Sequence, residues 1–166
     1  MFAKWRKKSA ESKTVEVCAP LTGRAVPLSE VPDEAFAGGY MGQGVAIEPT
    51  VGVLIAPFNG KVAHVIKSNH AVMLENESGL QFLFHLGINT VSLKGEGFTS
   101  HVAVGDRVKT GDTLIEFDLD KMKNAGFPVI SPIIVTNAAE TTTHLEMFTG
   151  PVTAGKDVVL KAALKS

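Results

Sequence analysis

The chain has 166 residues, 45% hydrophobic and 20% charged, with 16 Lys and Arg against 17 Asp and Glu. That is the size and composition of one soluble globular domain with a full core. The near-cancelled charge argues against a nucleic-acid partner. No apolar run approaches the roughly 18 residues of a membrane span, and a single cysteine, Cys18, excludes a disulfide framework and fits a reducing, cytoplasmic setting.

Residues 1–13, "MFAKWRKKSAESK", lack the apolar core of a secretion signal. They read as a separate tail, solvated and flexible in the simplest account. Lys4, Arg6, Lys7 and Lys8 around Phe2 and Trp5 also have the composition of a peripheral membrane-surface contact over residues 1–8. From residue 14 to 166 the chain is punctuated like a single all-β domain. The expected strands are Thr14–Cys18, Val45–Glu48, Val51–Ala56, Lys61–Ile66, Ala71–Glu75, Leu80–Leu86, Val102–Val104, Thr113–Asp118, Val129–Thr136 and Val158–Ala162. Gly, Pro, Asn and Asp turns such as "FNG", "NESG" and "KTGD" separate them. "PDEAFAGG" and "DLDKMKNAG" read as short helices, acidic at the start and closed by Gly. Many short strands and few helices predict an antiparallel sandwich or barrel.

One hairpin carries the chemistry. "HAVMLENESGLQFLFH" runs from His70 to His85 with a turn-forming "NESG" at its middle. Folding it symmetrically about Glu77 and Ser78 sets His70 opposite His85, and Ala71, Met73, Phe82 and Phe84 on a common core face. Opposed residues lie about 5 Å apart at Cβ. Two imidazoles that close are not both charged near pH 7. Neutral imidazole is a metal ligand and a nucleophile. Zinc wants three or four ligands, and His64, His101 and His144 lie in other segments. The alternative is a phosphohistidine relay, in which one ring takes the phosphoryl group and the other stabilises it. "NGKV" and "AGKD" are not phosphate-binding loops, which makes another phosphorylated protein the expected donor.

"SNHAVML" followed by "LFHLGINTVSLKGEGF", together with "APLTG", "VPDEAFAGGYMGQGVAIEP", "VLIAPFNGKV", "HVAVGDRVKTGDTLIEFDLD" and "SPIIVTN", resembles the glucose-class IIA domains of the bacterial sugar phosphotransferase system. The resemblance covers nearly all of residues 14–164, and it is with the single-domain members. It implies an antiparallel β-sandwich and a relay from phosphorylated HPr, through His85 Nε2, to a cysteine of a IIB domain in a sugar permease. It implies that His70 stabilises the phosphoryl group, that Ser68 (where the family carries Thr) orients His70, and that the Gly87 carbonyl sets the His85 tautomer. Partners would dock on Phe36, Tyr40, Met41, Ile66 and Leu83. No cofactor is required, although some relatives regulate other proteins and take up zinc at a joint interface through both histidines. Asn89 stands where the family commonly carries an acidic residue.

Two other readings compete. "GDRVKTGDTLIEFDLDKM" resembles half of a lipoyl or biotinyl carrier domain modified at Lys121, but the second half of that pattern is missing. A zinc-dependent hydrolase would need a third ligand and a general base, which the strand pair does not supply.

Overall fold

A computed structural model describes residues 13–166. Apart from Lys13, the basic aromatic tail lies outside the described residues. Fourteen strands are present among the described residues: β1 Thr14–Cys18, β2 Gly23–Pro27, β3 Gln43–Pro49, β4 Val53–Ile55, β5 Gly60–Val65, β6 Ala71–Asn76, β7 Gln81–His85, β8 Phe98–Ser100, β9 Arg107–Val108, β10 Thr113–Phe117, β11 Ser131–Val135, β12 Thr142–Met147, β13 Gly150–Val152 and β14 Val158–Leu164. Every pairing is antiparallel. An eight-stranded sheet runs β13-β2-β3-β11-β7-β6-β5-β9, and two three-stranded sheets run β1-β14-β12 and β4-β10-β8. This is the expected antiparallel β-sandwich.

Both expected helices form where an aspartate caps them. Asp33 Oδ1 accepts from the Ala35 N–H at 2.9 Å to start α1, Glu34–Ala37. Asp118 Oδ1 accepts from the Lys121 N–H at 3.0 Å to start α2, Leu119–Asn124. Such caps satisfy amides that have no partner within the helix. A third short helix, α3, covers Ala138–Thr141.

The eight-stranded sheet is apolar on both faces. Val45, Ile47, Val72, Leu74, Phe82, Phe84, Ile133 and Val135 point into the main core, which the three-stranded sheets also line. The alternate residues Ala46, Ala71, Leu83 and Ile134 point the other way. There they pack with Phe36, Val31, Ile88 and Ile130 in a smaller second cluster. This two-residue alternation is the geometry of a strand, and it explains why "QFLFH" is apolar almost throughout.

The sequence-based hairpin register is off by one residue. The observed pairs are Glu75 with Gln81, Leu74 with Phe82, Met73 with Leu83, Val72 with Phe84, and Ala71 with His85. The cause is a three-residue loop in place of a two-residue one. The Asn76 N–H donates to Leu80 O at 2.9 Å, and the Gly79 N–H donates to Asn76 O at 3.1 Å. Asn76 Oδ1 also accepts from the amides of Ser78 and Leu80, at 3.0 and 2.9 Å. Gly79 takes φ +88°, the left-handed position that completes this loop type. The extra residue exchanges the faces of β6, so Val72 and Leu74 face the core with Phe82 and Phe84, and Ala71 and Met73 do not.

Val102–Val104 is a loop, correcting another expected strand. It is held by Asp106 Oδ2 accepting from the Ala103 N–H at 2.8 Å, and by the Gly105 N–H donating to Val62 O at 2.9 Å. Strands β2, β8, β9, β12 and β13 are additions to the expected set. They are short, polar or near the margins of sheets, where alternation carries little information.

Candidate active site

His85 ends β7 on the face of the second cluster, opposite Ala71. His70 lies just before β6. Regular alternation would turn its side chain towards the core with Val72, but the preceding Asn69 adopts a left-handed conformation (φ +60°) and redirects the chain. The local backbone remains tied down. The Leu86 N–H donates to His70 O at 2.8 Å, the Ile66 N–H to Ala71 O at 3.0 Å, and the Asn69 N–H to Ile66 O at 2.7 Å. The two imidazoles therefore meet by a turn and not by strand pairing. Their centroids are 5.1 Å apart and their planes stand at 79°.

Each ring has one nitrogen engaged by a near neighbour. His85 Nδ1 lies 2.7 Å from the Gly87 carbonyl oxygen. A carbonyl only accepts, so Nδ1 carries the proton and a neutral ring keeps its lone pair on Nε2. His70 Nδ1 lies 2.6 Å from Ser68 Oγ, which can donate or accept. Phe36 packs a tilted ring against His85 at 5.1 Å. Burial lowers the His70 pKa to about 4, helped by the charge His85 would carry. Burial also lowers the His85 pKa, opposed by the Gly87 carbonyl and then by the Asp33 carboxylate. Both rings are thus neutral at pH 7.

Gly87 is shaped for this role. Its φ is +75°, and a Cβ there would lie 2.5 Å from Met122 Cε, 2.7 Å from Thr90 Cγ2 and 2.9 Å from Pro128 O. The proposed docking residues divide by exposure. Tyr40 is 78% and Met41 41% exposed, in the turn after α1, while Ile66 is half-buried. Phe36 and Leu83 are buried members of the second cluster. Phe36 packs against His85 and Leu83 lies two residues before it on the same face of β7, so both support the site from within and neither is an exposed rim.

Other sequence candidates lie elsewhere. Lys121 sits on the short helix α2 with Nζ 3.8 Å from Glu96 Oε2. His101 Nε2 pairs with Glu116 Oε1 at 2.7 Å. Among the described residues, no three His, Cys, Asp or Glu side chains converge as a metal site. Sequence reasoning missed three residues near the histidines. Asp33 acts on His85 electrostatically, and its only sequence signal is the helix-starting "PDEAF". Thr90 and Ser131 are wholly buried beside Gly87, and nothing in the local sequence distinguishes them from ordinary loop and strand hydroxyls.

Residues 15–141 match the family model for the phosphoenolpyruvate-dependent sugar phosphotransferase system, EIIA 1. The chain belongs to this EIIA family. Over 133 residues this EIIA chain is 48% identical to the PTS system mannose-specific EIIBCA component of Corynebacterium glutamicum, a match covering 80% of this chain and 20% of that protein. The chain therefore spans only about a fifth of the length of that curated relative. Its fold is similar to that of glucose permease IIA from Mycoplasma capricolum, with a TM-score of 0.81 and 36% identity over 90% of this chain and 96% of that one. EIIA membership makes the chain a component of the sugar phosphotransferase system and replaces the lipoyl or biotinyl carrier reading. Among the described residues, no helix is long and apolar enough to cross a membrane.

Proposed function

We propose that this EIIA chain carries a phosphoryl group on His85 Nε2, received from phosphorylated HPr and delivered to a cysteine of a IIB domain. The observation that carries this reading is the 2.7 Å contact between His85 Nδ1 and the Gly87 carbonyl. It leaves a neutral ring with its lone pair on Nε2. That pair forms the new N–P bond as the N–P bond to HPr breaks and the departing nitrogen recovers its electrons. Nδ1 stays protonated throughout, and the Gly87 carbonyl balances the positive charge that builds on the ring. In the second step the cysteine thiolate forms an S–P bond as the His85 N–P bond breaks.

His70 stands beside the phosphoryl position. If the Ser68 hydroxyl donates to Nδ1, the His70 proton sits on Nε2 and can donate to phosphoryl oxygens where charge builds. The low His70 pKa keeps this a neutral donor, so it carries no charge to be neutralised when the group leaves. The exposed Tyr40 and Met41 give the apolar contact a partner needs. The two ring nitrogens not engaged by Ser68 and Gly87 would also supply two of the four ligands of a zinc ion, with the remainder coming from a partner. No step of the relay runs through that metal.

The test is incubation with phosphoenolpyruvate, the general phosphotransferase enzyme and HPr. One acid-labile, base-stable phosphate per chain is expected. His85→Gln removes it, while His70→Gln still accepts the group and passes it to a IIB domain poorly. Normal labelling of His85→Gln would defeat the assignment.

A further inference from the structure

The Gly87 carbonyl sets the His85 tautomer, but a carbonyl on a flexible glycine could swing away. Two wholly buried hydroxyls bond to the peptide just before it, and neither hydrogen-bonds to an imidazole. Thr90 Oγ1–H donates to Leu86 O at 2.6 Å, and the Gly87 N–H donates to Ser131 Oγ at 3.1 Å. Both bonds fall on the same peptide, the one joining Leu86 to Gly87. The Ser131 hydroxyl spends its only proton on Val129 O at 2.9 Å, so its oxygen faces Gly87 strictly as an acceptor. The next peptide, Gly87 to Ile88, bears the carbonyl that meets His85. Its N–H donates to Pro128 O at 3.0 Å. A peptide that donates at one end becomes a better acceptor at the other.

We propose that Thr90 and Ser131 are positioning residues, which fix the peptide before Gly87 and thereby hold its carbonyl on His85 Nδ1. The proton is kept on Nδ1 and the lone pair on Nε2 by side chains one and two hydrogen bonds removed from the ring. Glycine needs such a clamp because, at φ +75° with no Cβ, its own sterics leave the carbonyl direction loosely determined. The inference rests on reading His85 as the phosphoryl acceptor.

The experiment reads the tautomer directly from the imidazole 15N shifts of His85, in long-range 1H–15N spectra of the whole chain above the titration range of the ring. The unsubstituted protein should show Nδ1–H. In Ser131→Ala and in Thr90→Val, loss of one buried hydrogen bond should raise the ratio of the Nε2–H to the Nδ1–H form about fivefold, and Thr90→Ser should restore it. A merely structural role would lower the melting temperature and leave the ring shifts unchanged, and that result in folded variants overturns the proposal. A reading that needs no variant is amide hydrogen exchange of the unsubstituted protein. Strong protection of the Gly87 and Ile88 amides is expected, and exchange at the rate of an open loop overturns the clamp. No phosphoryl donor is present in either measurement. Shifted tautomers in a chain that never takes up phosphate would therefore sink the relay and leave the clamp standing.

Discussion

His70 and His85 are two bases held close together in a buried setting, and that fixes how the protein responds to acid. Unfolded histidine titrates near pH 6.5, whereas His70 in the fold is lowered to about 4 and His85 is lowered as well. Between those limits the unfolded chain binds more protons than the folded one, so stability rises with pH there. Equivalently, stability is lost as pH falls below about 6.5, and the His70 contribution has levelled off once pH passes below its folded value. At about 1.4 kcal/mol per unit, His70 alone contributes on the order of 3–4 kcal/mol across the window. Urea unfolding at pH 7, 5.5 and 4.5 should show this loss, reduced in His70→Gln, and equal acid sensitivity of the two proteins would contradict it. At this scale the sequence brought the two rings together for partly the wrong reason. Strand counting put the rings face to face, while the contact depends on Asn69 in a left-handed turn, a conformation that Asn tolerates but does not announce. Ser68 and Gly87 were legible only through the family resemblance, because their roles rest on one hydroxyl contact and one carbonyl direction.

At the scale of the element, the β6–β7 hairpin has a glycine near each of its ends, and the two do different work. Gly79 has φ +88°, and a Cβ there would meet nothing within 4 Å, so only backbone strain opposes substitution. Gly79→Ala should cost about 1–2 kcal/mol and leave phosphate uptake intact. Gly87 combines positive φ with three contacts under 3.0 Å, one of them backbone. Gly87→Ala should cost about 2–4 kcal/mol and also abolish the His85 contact. Denaturant titration and the labelling assay, run on both variants, separate the two effects, and similar loss of labelling in both would refute the distinction. The same turn shows why strand register was the part of the fold hardest to read. "NESG" accommodates a two- or a three-residue loop, and the choice depends on Asn76 bonding to Ser78 and Leu80. Short apolar strands bounded by turn residues, such as Thr113–Phe117, and helices with an aspartate cap were legible. The two-residue β9 and the Pro-containing β13 were not, since pairing with neighbours defines them and not their own composition.

Across the whole molecule, the family match ends at residue 141, but the fold does not. Leu145, Val152, Val159, Leu160 and Ala162 follow that point and are buried in the main core. Strand β14 is also the centre of its sheet, the element that joins β1 to β12. A chain cut after Thr141 should therefore lose its cooperative melting transition and its amide dispersion by NMR, and a native-like spectrum from the fragment would show the last three strands to be dispensable. The β1–β14 pairing has another result. Thr14 lies beside Ala163, and the Leu164 N–H reaches Lys13 O at 3.1 Å, so the polypeptide enters and leaves the sandwich through a single doorway. A bridge of a few residues would close the chain into a ring. The whole sandwich could likewise hang from one loop of a host protein, joined at both ends, with its histidines held in the same relation to each other.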